Sequence, residues 1–85
     1  MQCKAEVTVM FRKSILDPQG AAVERALKAH EGGADISSVR VGKVIELTVD
    51  GPDAKSVEEK VKVLADRILA NPVMEEYSVH VEPLS

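Results

Sequence analysis

The chain has 85 residues, 45% of them hydrophobic and 29% charged, with a formal net charge of −3 and acidic and basic residues interleaved throughout. Those values describe one soluble globular domain spanning residues 1–85 and exclude a disordered chain. Phe11 and Tyr77 are the only aromatics and no Lys/Arg-rich stripe is present, so the stacking platforms and phosphate-tracking grooves of a nucleic-acid binder are excluded.

Residues 3 to 11 alternate, with Cys3, Ala5, Val7, Val9 and Phe11 on one face and Lys4, Glu6, Thr8 and Met10 on the other. A period of two predicts a half-buried strand. Arg12, Lys13 and Ser14 leave it as a polar loop. Asp17-Pro18 predicts a helix start: the carboxylate accepts from free N–H groups of the first turn, and proline has a fitting φ at the first helical position. Leu16 is placed to staple back onto that turn. Val23, Ala26, Leu27 and His30 then recur at helical spacing until Gly32-Gly33 stops the helix.

Residues 36 to 49 read either as one long strand or as two strands around Gly42-Lys43. Val39, Val41, Ile45, Leu47 and Val49 share odd parity and therefore one face if the strand runs on. A two-residue hairpin would turn Glu46 and Thr48 inward instead. One long strand, bent or bulged at Gly42, is the expectation. Gly51-Pro52-Asp53 is a turn, and the second helix starts at Asp53 or at Ser56, which has capping-box spacing to Glu59. Val57, Val61, Leu64, Ala65 and Ile68 form its apolar stripe, with Glu58 and Lys62 paired on the outer face. Pro72 ends it by disfavouring helical geometry at Asn71. Glu75-Glu76 reads as a solvated turn, Tyr77, Val79 and Val81 alternate as a last strand, and Pro83-Leu84-Ser85 is a tail.

One apolar face per strand and one stripe per helix, in the order β-α-β-α-β, predict a two-layer α+β sandwich with both helices on one face of a small, mostly antiparallel sheet. The other face would carry Lys4, Glu6, Thr8, Met10, Arg40, Val44, Glu46, Ser78 and His80, too polar for a second core but suited to contact with another subunit. A chain this short buries roughly 60–65% of its unfolded surface, and its core supplies about 3–5 kcal/mol. Three strands also leave long edges that need cover. Oligomerisation, as a dimer or tetramer, is therefore expected to complete the fold.

Few side chains are placed for chemistry. Cys3 has inward parity and reads as a buried thiol. A lone cysteine, no apolar run near the ~18 residues of a membrane span, and no signal-peptide pattern lead to the expectation of a cytoplasmic protein without a membrane partner. His30 and His80 belong to no cluster with metal spacing. The two proline turns, Lys13-Ser14-Ile15-Leu16-Asp17-Pro18-Gln19-Gly20 and Leu69-Ala70-Asn71-Pro72-Val73, are the informative segments. Helix punctuation accounts for Asp17, Pro18, Asn71 and Pro72. It does not account for Gly20, where alanine would be favoured by ~1 kcal/mol; glycine there implies close backbone approach to a neighbouring element or a partner.

Arg12 to Gly20, with Val23 and Ala26-Leu27 after it, resembles the hallmark of the PurS family, the small subunit of phosphoribosylformylglycinamidine (FGAM) synthase. Val39-Arg40-Val41-Gly42-Lys43 with Glu46-Leu47 is similar to that family's middle strand, and Leu69 to Val73 with Glu76-Tyr77 to its C-terminal signature. The resemblance implies a non-catalytic subunit of an ATP-dependent carbon–nitrogen ligase in de novo purine biosynthesis. The complex converts formylglycinamide ribonucleotide (FGAR), ATP and glutamine into FGAM, ADP, phosphate and glutamate. It further implies self-association and two partners, the synthetase PurL and the glutaminase PurQ, with this chain docking one onto the other for ammonia transfer. ATP and Mg would be used by the complex, with no cofactor on this chain. The partner-contact residues expected are Arg12, Asp17, Pro18, Gln19, Gly20, Asn71 and Pro72, with no catalytic or metal residues. Two alternatives compete with it. A dimeric regulatory module of the ACT or ferredoxin-like kind would need the middle segment split into two strands. A small acylphosphatase-like enzyme would have to rely on Arg12 and Asn71.

Overall fold

The computed structural model describes residues 1–84; Ser85, the last residue of the expected tail, lies outside them. Strand β1 (Gln2–Phe11) is the centre of a three-stranded sheet, flanked by β2 (Gly42–Asp50) and β3 (Glu75–Pro83) in the order β2-β1-β3. Both flanking strands run antiparallel to β1. The middle segment supplies a single strand, so the described residues hold no fourth strand of the kind a βαββαβ regulatory module needs.

Parity sets the core. Cys3, Ala5, Val7 and Val9 are all buried, and across from them the register places Val49, Leu47 and Ile45 on β2 and Val81, Val79 and Tyr77 on β3. Helix α2 (Ala54–Leu64) closes this face with Val57 and Val61, both essentially inaccessible. Asp53 is its N-cap, its carboxylate accepting from the Ser56 N–H at 2.7 Å. Ser56 is therefore inside the first turn, and the Ser56–Glu59 capping box is not the device that starts this helix.

After Leu64 the helix widens into a π-helical turn, Ala65–Leu69. A π turn inserts about one extra residue relative to α geometry. The stripe accordingly shifts: Ala65 and Ala70 are buried and Leu69 packs against the core, while Ile68 is 73% exposed. Ile68 was expected on the stripe because 57, 61, 64, 65 and 68 share a face at 3.6 residues per turn; the π turn rotates it outward.

Helix α1 (Pro18–Ala29) is built differently from α2. Its apolar stripe forms, but Val23 and Leu27 remain 42% and 38% exposed, and Gly20 is its one buried residue. It is tied to the segment entering β2 rather than laid along the sheet. The result is a flat, elongated chain with Cα extents of 51 × 29 × 14 Å and a radius of gyration of 16.5 Å, against about 12 Å for a compact domain of this length. A single chain thus leaves an apolar helix stripe and two outer sheet edges uncovered.

Three further boundaries differ from expectation. Strand β2 begins at Gly42, six residues after Ile36, because β1 ends at Phe11 and no strand faces residues before Gly42. Residues 38–41 are held instead by side chains of α1. Glu75-Glu76 is not a solvated turn: the pair opens β3, Glu75 opposite Phe11 and Glu76 opposite Met10. The turn is one step earlier, over Asn71–Met74. Pro83 likewise belongs to β3, opposite Cys3, rather than to a tail.

Candidate functional site at the open end of the sheet

The two proline turns meet at the end of the sheet where β1 stops, joined by a contact between residues 60 apart in sequence. Arg12 makes the junction. Its Nε and Nη2 both donate to the Pro72 carbonyl, at 3.2 and 2.7 Å, and its backbone N–H donates to the Met74 carbonyl at 2.9 Å. Asn71 shapes the second turn from within. Its side-chain oxygen accepts from the Val73 N–H at 3.1 Å, its carbonyl accepts from the N–H groups of Met74 and Glu75, and its own N–H donates to Glu75 Oε1 at 2.7 Å.

Asp17 organises the first turn. Oδ1 accepts from the Gly20 N–H at 3.0 Å, which caps α1, and Oδ2 accepts from the Val41 N–H at 2.8 Å, which fixes the entry to β2. These two backbone donors, with the nearby Arg40 charge contributing less, hold its carboxyl below the ordinary aspartate range. Two turns along, Glu24 accepts from the Val39 N–H at 3.2 Å and pairs with Lys28 at 3.0 Å. Lys28 first, then Val39, lowers its pKa. The carboxylates of the N-cap Asp17 and of Glu24 in α1 thus grip alternate N–H groups of one arm. That grip offsets the cost of Ser38, whose φ of 57° is left-handed, a conformation costing about 1–2 kcal/mol for a residue other than glycine.

Gly20 is explained here. A Cβ at that position would collide with the Val39 carbonyl and with the Asp17 carboxylate, so α1 and the arm approach backbone to backbone. The close approach is to a neighbouring element of the same chain. Pro18 and Gln19 are exposed. They line a cleft of about 380 Å³ with Phe11, Val41, Lys43 and Glu75.

A second cleft, about 500 Å³, opens beside it and is lined by Phe11, Arg12, Lys13, Ile15, Asp17, Ser38 and Arg40. Arg40 donates to the Phe11 carbonyl at 2.6 Å and lies 3.6 Å from Glu76. All seven residues singled out in the sequence gather at this end, five of them directly on the two clefts or the Arg12 junction. Lys13, Glu24, Arg40 and Glu76 were not singled out. Arg40 has the outward parity of a strand residue, and only the late start of β2 brings it back onto the end of β1.

The hydrogen-bonded polar side chains of this end are spent on the backbone. Its carboxylates hold backbone N–H groups, its guanidiniums hold backbone carbonyls, and His30 and His80 lie elsewhere, on Glu31 and Glu82 respectively. Among the described residues no group of three or more His, Cys, Asp or Glu side chains is placed to hold a metal ion, and no helix is long and apolar enough to cross a membrane.

Comparison with known proteins places this architecture. Residues 4–83 match the model of the family PurS, phosphoribosylformylglycinamidine (FGAM) synthase. The PurS subunit of Synechocystis sp. is 39% identical over 82 residues, covering 96% of this chain and 79% of its own. The crystallised PurS of Thermus thermophilus superposes with a TM-score of 0.85 at 40% identity, covering both chains fully. A chain in the structure of PurLQS from Thermotoga maritima superposes with a TM-score of 0.85 at 34% identity, covering 96% of this chain and 99% of that one. The chain belongs to the PurS family of FGAM synthase subunits.

Proposed function

We propose that this chain is a bridging subunit of an FGAM synthase complex in purine biosynthesis, docking a PurQ-type glutaminase onto a PurL-type synthetase. Ammonia released from glutamine would then reach the activated amide of FGAR without equilibrating with solvent, where it would be protonated. ATP and Mg act in the synthetase; this chain carries no cofactor and works in the cytoplasm, as a dimer or higher oligomer. The observation that carries this reading is the use of the polar side chains at the open end. Arg12, Asp17, Arg40 and Asn71 hold the chain's own turns in shape, which builds a fixed surface. Membership of the family and the occurrence of a similar chain in the PurLQS structure of Thermotoga maritima support it. The uncovered α1 stripe and sheet edges support self-association, because apolar area left exposed in one chain is removed from water in the assembly.

In this reading Arg12, Asp17, Pro18, Gln19, Gly20, Asn71 and Pro72 act as contact or shape-holding residues at the docking end. FGAM synthesis by the synthetase and glutaminase, with and without the chain, tests the proposal. Glutamine-dependent synthesis is expected to require it, and ammonia-dependent synthesis far less. Equal rates with and without the chain on both donors would overturn it.

A further inference from the structure

The second cleft has a chemistry of its own. It gathers Arg12, Lys13 and Arg40 in a protein whose formal net charge is −3. Of the eight other Lys and Arg side chains, three are matched: Lys4 by Glu6 and Glu46, Lys28 by Glu24, Lys62 by Glu58. Among the described residues, no carboxylate lies within 4.0 Å of Arg12 or Lys13. The one carboxylate lining the cleft, Asp17, has both oxygens occupied by the N–H groups of Gly20 and Val41, and Glu76 reaches only Arg40.

The two guanidiniums are also set in place beforehand. Arg12 is fixed by two bonds to the Pro72 carbonyl and Arg40 by one to the Phe11 carbonyl, and each retains further N–H donors. Side chains already ordered lose little entropy on binding, and guanidinium donors match a carboxylate in a bidentate fork. Two exposed apolar side chains neighbour these residues in sequence: Leu16, between the lining residues Ile15 and Asp17, is 80% exposed, and Val73, next to Pro72, 78% exposed. A small free anion has no use for such apolar neighbours; a polypeptide segment buries them.

We propose that the Arg12–Lys13–Arg40 cleft docks an acidic segment of a partner subunit, seating a carboxylate on the three cations with apolar neighbours against Leu16 and Val73. This rests on the assembly reading above and names the chemistry of one contact within it. The experiment measures association of the full chain with the synthetase and glutaminase subunits, by sedimentation at low and high salt. Lys13 is exposed and makes no internal hydrogen bond or ion pair among the described residues, so Lys13→Glu probes the cleft without disturbing the fold. Lys60→Glu, on the exposed face of α2, serves as the matched charge change elsewhere. Lys13→Glu is expected to weaken association about tenfold or more and to flatten its salt dependence. Lys13→Arg should restore it, and Lys60→Glu should leave it near the unsubstituted value.

If the unsubstituted chain assembles and Lys13→Glu assembles equally well, the cleft proposal is wrong while the bridging reading stands. If the unsubstituted chain does not associate with either subunit, both fail. Inorganic phosphate is titrated into the isolated chain in parallel and followed by the amide shifts of Lys13 and Arg40. Saturable phosphate binding lost in Lys13→Glu, with assembly unchanged, would make the cleft a small-anion site and overturn docking of an acidic segment.

Discussion

The π turn makes a quantitative claim that two alanine substitutions test. In a continuous α-helix Ile68 would face the core with Val57, Val61 and Ala65; with the π turn that position passes to Leu69. Leu69→Ala removes about three methylene equivalents from a partly buried site, each worth ~0.8 kcal/mol when fully buried. Discounting for its partial exposure and adding a small cavity contribution gives a loss of about 2 kcal/mol. Ile68 is 73% exposed, so Ile68→Ala should stay within about 0.5 kcal/mol. The assay is urea unfolding at two protein concentrations, since association couples to apparent stability. A contribution of Ile68 to contacts between copies shifts the midpoint with concentration, whereas the Leu69 loss persists at both. If Ile68→Ala costs more than Leu69→Ala at low concentration, the segment is a continuous α-helix and the account of the stripe is wrong.

Three other substitutions address the open end and the outer face. Gly42→Val places a side chain against the Met10 sulfur and the Val9 carbonyl; a loss of about 1–3 kcal/mol, with faster amide exchange at the start of β2, is expected, and unchanged exchange there would contradict it. Asp17 titrates below its ordinary range in the folded chain, so the stability it contributes is present above the unfolded pKa and is lost as pH falls through the depressed folded value. The Val41 amide should therefore lose protection below about pH 4, and Asp17→Asn should flatten that dependence; an acid loss that persists in Asp17→Asn would assign it to another group. His80 is raised by Glu82, at 2.9 Å, so the pair stabilises below the unfolded histidine pKa and its contribution disappears as pH rises through the folded value. An NMR titration should show His80 above the ordinary histidine value, returning to it in Glu82→Gln; an identical pKa in both chains would exclude that pair as the cause.

Where local pattern and tertiary contact agree, the sequence is enough to read the fold. The period-two alternation of residues 3 to 11 names the buried side of β1 because a strand in the centre of a sheet has one face and one register to satisfy. The odd parity of Ile45, Leu47 and Val49 identifies a single middle strand for the same reason. Asp17-Pro18 marks a helix start because the cap is made within four residues. The features missed depend on distant partners. Nothing local tells that β2 starts at Gly42, since its start is set by where β1 ends and by the carboxylates of Asp17 and Glu24. The π turn is invisible to a 3.6-residue period, and exposure of Ile68 follows from it. Gly20 signals a close approach in sequence, but only the fold shows that the approaching group is the Val39 carbonyl. Likewise, the Arg12–Pro72 contact explains why two similar-looking turns sit at opposite ends of the sequence and at one end of the molecule.

The bridging role is tested most directly by the coupling between the two reactions it would join. With the synthetase and glutaminase held constant, FGAM formed is measured per glutamate released as this chain is titrated in, with a scavenging enzyme consuming free ammonia. The account predicts that the ratio climbs towards one FGAM per glutamate and saturates with complete assembly, insensitive to the scavenger. A ratio that stays low and falls with added scavenger at every concentration would mean that ammonia passes through bulk solvent, and that the chain does not bridge the two sites.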